Sequence, residues 1–263
     1  MSESSIPNRL GFIGVGAIAE AVITGLMESG FPGHISVSPR NQHRVSALAT
    51  RFERLTVETG NPEVVDRCDW VFLAVLPDQA PRVLSELKFR KTQSLISLVA
   101  GIDRKRLRQL AAPVDEVFRL IPLPPVEFSA GPLPLFPPSS AIRQLFQACG
   151  EVIEVEQESQ MAIFSAASGL MASHHELTAR LAGWMSDQGM PSAQAATYAS
   201  SLFRSLTEVE CRVSAERLVQ LADDSSTPGG LNEQALQELR SCGWFERAME
   251  RLDRLYRRVQ QGL

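Results

Sequence analysis

The residues with the plainest chemical use lie near the start of the chain, in Leu10-Gly11-Phe12-Ile13-Gly14-Val15-Gly16-Ala17-Ile18-Ala19-Glu20-Ala21. A short apolar run there breaks into glycines and then takes on helical spacing. The G-x-G-x-x-A order suits a dinucleotide. Gly14 turns a buried strand tightly, Gly16 lets the backbone approach a pyrophosphate, and Ala19 is small enough for the helix to pack on the strand. The unpaired N–H groups of the next turn, at Ala17 and Ile18, and the positive end of the helix dipole favour the negative charge. Glycines in a bare strand-to-helix turn would look the same, but the order strand, turn, helix favours the nucleotide.

About 20 residues further on, an acid would bind the ribose hydroxyls of NAD, whereas an arginine suits the extra phosphate of NADP. The run His34–Ser38 ends in Ser38-Pro39-Arg40-Asn41, with no carboxylate at its tip. Arg40, helped by Ser38, Asn41 or Arg44, can pair with a 2′-phosphate, which a guanidinium fork fits well. NADP, bound as NADPH, is the expected cofactor; the competing reading is that Arg40 and Arg44 are solvated charges on a loop and helix. Two more strand ends point at the same crevice, Ala74-Val75-Leu76-Pro77 and Leu98-Val99-Ala100-Gly101-Ile102. Pro77 would hold a turn beneath the nicotinamide, and Ala100-Gly101 would let backbone amides approach the ring or ribose. Taken singly, each also reads as an ordinary strand exit.

These groups need a sheet to hold them. Short β-rich runs alternate with helical patterns at Arg9–Gly14, His34–Ser38, Asp69–Leu76, Ser94–Val99, Glu116–Ile121 and Glu151–Val155. Such runs, buried on both faces and separated by helices, predict an α/β fold with a Rossmann-type, doubly wound parallel sheet. From Ile121 to Pro138 prolines crowd the chain, which predicts edge strands and turns with no helix, followed by a helix at Ser140–Cys149. After Val155 the pattern turns helical, over Gln157–Gln188, Ser192–Leu221 and Leu231–Gln260. Residues 1–156 therefore read as an NADP-binding domain and 157–263 as a helical dimerisation and substrate domain. The small and apolar start of its first helix implies burial on most sides, part of it supplied by a partner subunit.

With 26 Lys+Arg against 30 Asp+Glu, the net charge of -4 presents no basic field for nucleic acid. No apolar stretch is long enough for a membrane span. Met1 to Asn8 is polar and shows no secretory signal, so a cytoplasmic location is expected. Cys68, Cys149, Cys211 and Cys242 have no C-x-x-C spacing, which favours reduced thiols over a disulfide or zinc site, and no metal is expected.

Together these segments resemble the pyrroline-5-carboxylate reductase family, nearly end to end. The glycine turn matches with Ile18 where methionine is usual; Asn61, in Gly60-Asn61-Pro62-Glu63-Val64-Val65, matches the asparagine ahead of the run Asp69–Leu76. Ala74–Pro77 and Ser97–Ile102 are similar to its strand-end motifs, and Arg119-Leu120-Ile121-Pro122 to its arginine-led proline motif. Thr227-Pro228-Gly229-Gly230 and Ser241-Cys242-Gly243-Trp244-Phe245 are similar to its C-terminal signature. The resemblance implies a homodimer interlocked through the C-terminal helices, with larger assemblies left open. It also implies hydride transfer from NADPH to the carbon of a cyclic imine, 1-pyrroline-5-carboxylate giving proline.

The departures cluster where substrate is expected. The family's asparagine after the first proline is Leu123, its helix entry is reduced to Ala166-Ala167-Ser168-Gly169-Leu170-Met171, and its paired threonines are Leu231 and Asn232. Candidate substrate groups are then Ser168, His174 and Asn232, with Ser165, Ser173 and His175 nearby. A histidine there would protonate an imine or bind a carboxylate; adjacent His174 and His175 cannot share a helix face, and a structural histidine is the plainer reading. Two alternatives stand beside the family reaction: a reductase of another imine or carbonyl compound, and a non-catalytic NADP-binding regulatory relative. A β-hydroxyacid dehydrogenase would need a lysine in the second domain, yet the three lysines, Lys88, Lys91 and Lys105, all precede Val155. No G-x-S-x-G elbow marks a hydrolase.

Overall fold

The computed structural model describes residues 6–261. The first apolar run forms β1 (Arg9–Ile13), buried after Arg9, and breaks at Gly14 before α1 (Ala17–Glu28). The alternation continues through β2 (His34–Val37), α2 (Gln42–Arg51), β3 (Leu55–Val57), α3 (Asn61–Arg67) and β4 (Trp70–Leu73). Then come α4 (Ala80–Ser85), β5 (Ser94–Ser97), α5 (Arg104–Leu110), β6 (Glu116–Leu120), β7 (Pro132–Phe136), α6 (Ser140–Phe146) and β8 (Glu151–Glu154). The strands form one sheet in the order β3-β2-β1-β4-β5-β6-β7-β8.

Period-two patterning divides the core between the two faces of this sheet. Phe12, Ile35, Phe72 and Ile96 join one buried cluster, while Ile13, Val71, Leu73, Leu95 and Val117 join the other. Helices cover both faces, which is the arrangement that parallel strands require. Phe12 stacks on Phe72 with ring centroids 4.5 Å apart, and Phe146 meets Phe72 edge-on at 6.0 Å. Burying such a side chain contributes about 1.5–3 kcal/mol.

Four sequence expectations change. First, the sheet is not parallel throughout, because β7 runs antiparallel to β6 and carries β8 parallel to itself. Second, β7 is no edge strand. Pro134 directs its carbonyl at β6, accepting from the Ile121 N–H at 3.0 Å, and the donor it lacks falls on the side where pairing is limited to two residue pairs. Third, the proline run does hold one helical turn, of 3-10 type, at Pro124–Phe128. Its prolines occupy the first turn, where no N–H is needed. Gly25 lets this turn close on α1, since a Cβ there would lie 2.3 Å from the Val126 carbonyl oxygen. Fourth, β3 escaped the sequence reading; only Leu55 of its three residues is buried, so it shows no alternation.

The helical part runs α7 (Ser159–Ala167), a 3-10 turn at Ser168–Leu170, α8 (Met171–Asp187), α9 (Ser192–Glu210), α10 (Ala215–Leu218), α11 (Leu221–Asp224), α12 (Leu231–Ser241) and α13 (Trp244–Gln260). The three long helices expected here are thus each interrupted. The last break falls at Gly243, whose φ of 70° no L side chain adopts easily. The described residues divide into two compact units, 6–165 with 258–261, and 166–257.

Candidate active site

Local sequence shapes the turn after β1. Gly14 has φ 86°, and a Cβ there would lie 2.7 Å from both the Ala74 carbonyl oxygen and Val75 Cγ1. Its N–H donates to Ser38 Oγ at 2.9 Å. Ser38 is 1% exposed and does not line the cleft that opens beside this turn; its hydroxyl oxygen accepts this bond and pins the turn. Gly16 caps α1, and the first helical bond runs from the Glu20 N–H to its carbonyl at 3.0 Å. The N–H groups of Ala17, Ile18 and Ala19 precede that bond and have no helical acceptor. A Cβ on Gly16 would meet nothing within 4 Å.

A cleft of about 730 Å³ opens at this point. Gly14, Gly16, Ala17, Ile18 and Ala19 form one wall, and Ala74 with Val75, at the end of β4, forms another. Arg40 and Asn41 reach it from the loop after β2. Arg40 is the one charged residue among the described residues lining the cleft. Its Nη1 donates to Gln79 Oε1 at 2.6 Å. Arg44 does not join it, since its guanidinium is paired with Glu20. Asn41 caps α2 by accepting from the Arg44 N–H at 3.4 Å. Leu76, Gln79 and Leu98 also line the cleft and were not among the residues singled out from sequence. Leu76 and Leu98 lie inside the quoted strand-end runs, whereas a lone glutamine after Pro77 carries no signal.

Pro77 and Gly101 border a second cavity, of about 510 Å³, with Asp78, Pro81, Ile102 and Arg106. Gly101 turns there with φ 78°. Asn61 begins α3 and Ala100 is exposed beside Gly101, and neither lines either cavity. At the end of β6, Arg119 Nη1 pairs with Glu158 Oε1 at 2.9 Å, with 11% and 28% of the two side chains exposed. The same oxygen accepts the Arg104 N–H at 2.6 Å. Burial and the neighbouring Arg108 push Arg104 below the usual guanidinium range, against the pull of Glu158.

The three substrate candidates fall in the helical unit. Ser168 opens the 3-10 turn before α8. His174, exposed on α8, sets its ring edgewise on Phe203 of α9 with centroids 5.3 Å apart, and His175 lies 5.8 Å from it. Asn232, in the first turn of α12, donates Nδ2 to the Ser225 carbonyl at 3.0 Å, while Glu233 accepts the Gly229 N–H at 2.7 Å. Leu231, beside them, is 85% exposed. Among the described residues, no cluster of His, Cys, Asp or Glu has the make-up of a metal site.

Comparison with known proteins agrees with this architecture. Residues 9–101 match the family described as NADP oxidoreductase, coenzyme F420-dependent, and residues 158–261 match pyrroline-5-carboxylate reductase dimerisation. The chain is 29% identical over 266 residues to pyrroline-5-carboxylate reductase 3 of Bos taurus, covering 96% of this chain and 84% of that protein. It is 32% identical over 172 residues to pyrroline-5-carboxylate reductase of Haemophilus influenzae, covering 61% of this chain and 62% of the relative. A crystal structure of Plasmodium falciparum pyrroline carboxylate reductase with NADP bound shares the fold at a TM-score of 0.84 and 20% identity, across 98% of this chain and 99% of that one. With a cleft of dinucleotide type in its sheet unit and a helical segment that matches pyrroline-5-carboxylate reductase dimerisation, this chain is similar to pyrroline-5-carboxylate reductases along most of its length.

Proposed function

We propose that the protein reduces the C=N bond of a cyclic imine with NADPH, converting 1-pyrroline-5-carboxylate to proline. The observation that carries the cofactor half is the cleft itself, where Arg40 is the one charged lining residue among those described and no acid stands to repel a 2′-phosphate. The similarity to those reductases carries the substrate half.

The residues present fit the cofactor. Gly16 leaves open space where a pyrophosphate would lie, the N–H groups of Ala17, Ile18 and Ala19, which have no helical acceptor, would donate to it, and Arg40 and Asn41 on the same cleft would border the ribose end. We place the nicotinamide toward the cavity bordered by Pro77 and Gly101. Asn61 and Ala100 line neither cavity, and their part rests on the resemblance alone. When bound, NADPH supplies a hydride to the imine carbon, and the nitrogen gains a proton to become a secondary amine. We assign substrate contact to Ser168, His174 and Asn232, with His174 holding the proton.

On this reading residues 1–156 bind the nucleotide and 157–263 form the dimerisation and substrate domain, which the matches to 9–101 and 158–261 support. A homodimer is supported by the helical unit, where Ala166, Met185, Ala195 and Ala199 are the buried residues and large apolar side chains such as Trp184 and Leu206 lie open. Four free cysteines suit a reducing, cytoplasmic setting. No helix among the described residues is long and apolar enough to cross a membrane.

A second reading, a different imine with less need of a carboxylate grip, is favoured by the start of α12. Leu231 is exposed there and the Asn232 amide nitrogen is already committed to Ser225. NADPH absorbance followed with pyrroline-5-carboxylate, with 1-pyrroline and with NADH in parallel tests both. Rapid NADPH oxidation with the carboxylate substrate is expected. Turnover of 1-pyrroline alone would establish the second reading, and no oxidation with either imine would overturn the reductase assignment.

A further inference from the structure

Arg40 and Gln79 reach the same cleft from separate loops, Arg40 after β2 and Gln79 just ahead of α4. Both loops are anchored. The Gln79 N–H donates to the Leu76 carbonyl at 3.0 Å and its own carbonyl accepts from Val83 at 3.0 Å, while Asn41, next to Arg40, accepts the Val45 N–H at 3.0 Å. Between the two stands the 2.6 Å bond from Arg40 Nη1 to Gln79 Oε1. The bond engages one corner of the guanidinium, and the rest of the fork keeps donors for an anion.

The partner's charge is the informative point. Arg44, close by in sequence, pairs with the carboxylate of Glu20, which offsets its charge. Gln79 is neutral, so it can restrain Arg40 while the cleft keeps its positive charge. A carboxylate at the same reach would hold the guanidinium as firmly and cancel what a phosphate needs.

We propose that Gln79 is a positioning residue for dinucleotide selectivity, holding the Arg40 guanidinium ready for the 2′-phosphate without neutralising it. The proposal rests on the reading of the cleft as an NADPH site.

The test is fluorescence titration of the full chain with NADPH, NADH, 2′,5′-ADP and 5′-AMP, so that binding is read apart from turnover. Gln79→Glu should weaken NADPH and 2′,5′-ADP by about tenfold or more, the scale of a lost charge-assisted contact, and leave NADH and 5′-AMP within about twofold. Gln79→Met, which keeps the length and removes the acceptor, should weaken the two 2′-phosphate ligands by roughly three- to fivefold. In an Arg40→Ala background Gln79→Glu should have no further effect; a continued loss of 2′,5′-ADP there would mean direct repulsion of the ligand and overturn the positioning role. Equal losses for all four ligands, or none for any, would overturn it too. A wild-type chain that binds neither NADPH nor NADH would overturn the cofactor reading itself.

Discussion

The backbone N–H of Gly14 donates to the hydroxyl of Ser38 at 2.9 Å, joining the turn after β1 to the end of β2 across 24 positions of sequence. Both partners are short of alternatives: the glycine holds φ 86° and the serine is 1% exposed. The relationship fixes where α1 begins, and so where its free N–H groups point.

The two glycines of the turn should therefore respond differently to the same change. Gly14→Ala forces a Cβ to within 2.7 Å of the Ala74 carbonyl oxygen and should lower stability by about 1–3 kcal/mol. Gly16→Ala meets nothing within 4 Å, so the melting temperature should hold while nucleotide binding drops. Thermal melts beside an NADPH titration distinguish the two.

Ser38→Ala removes the acceptor and leaves the Gly14 N–H without it. A cost of about 1–3 kcal/mol in urea unfolding follows, with weaker binding of NADPH and NADH alike because the whole turn loosens. Selective loss of NADPH would instead mean that Ser38 contacts the 2′-phosphate.

Phe72 lies at the centre of the sheet, 0% exposed, stacked on Phe12 and edge-on to Phe146. Phe72→Ala should lower stability by about 3–5 kcal/mol and Phe72→Leu by clearly less, because a leucine refills most of the space. Chemical denaturation of the two variants measures the difference.

Cys68 is fully buried beneath β1, and burial pushes its thiol up from 9.0 to about 11, against opposing pulls from Ser36 and Arg9. Between those values the folded chain keeps a proton that the unfolded chain has lost. The stabilisation is complete below pH 9 and fades as pH rises toward 11, by roughly 2–3 kcal/mol in all. Urea unfolding from pH 8 to 10.5, under reducing conditions, should show a shallower decline in Cys68→Ala than in the wild type. Parallel curves would show that the buried thiol contributes nothing.

Much of this was legible in the order of residues. A β-rich run, Gly14, Gly16 and a helical pattern occur in one local stretch, and local order alone determines a strand-turn-helix unit. Successive runs such as Trp70–Leu73 are apolar at every position, which already implies a sheet covered on both faces. That Arg40 lines the cleft was legible for the same reason, because it lies at a strand tip that sequence locates.

Tertiary structure decided which side chains meet. Gln79 stands 39 positions from Arg40, and Glu20 stands 24 from Arg44, and no periodicity links either pair. Packing and rotamer choice gave Arg44 to Glu20 and Ser38 to Gly14, leaving Arg40 the charged group among the described residues that line the cleft. The reversal of β7 and β8 belongs to the same class, because strand direction depends on cross-strand hydrogen bonds between distant segments, and those leave no mark in the sequence of either strand.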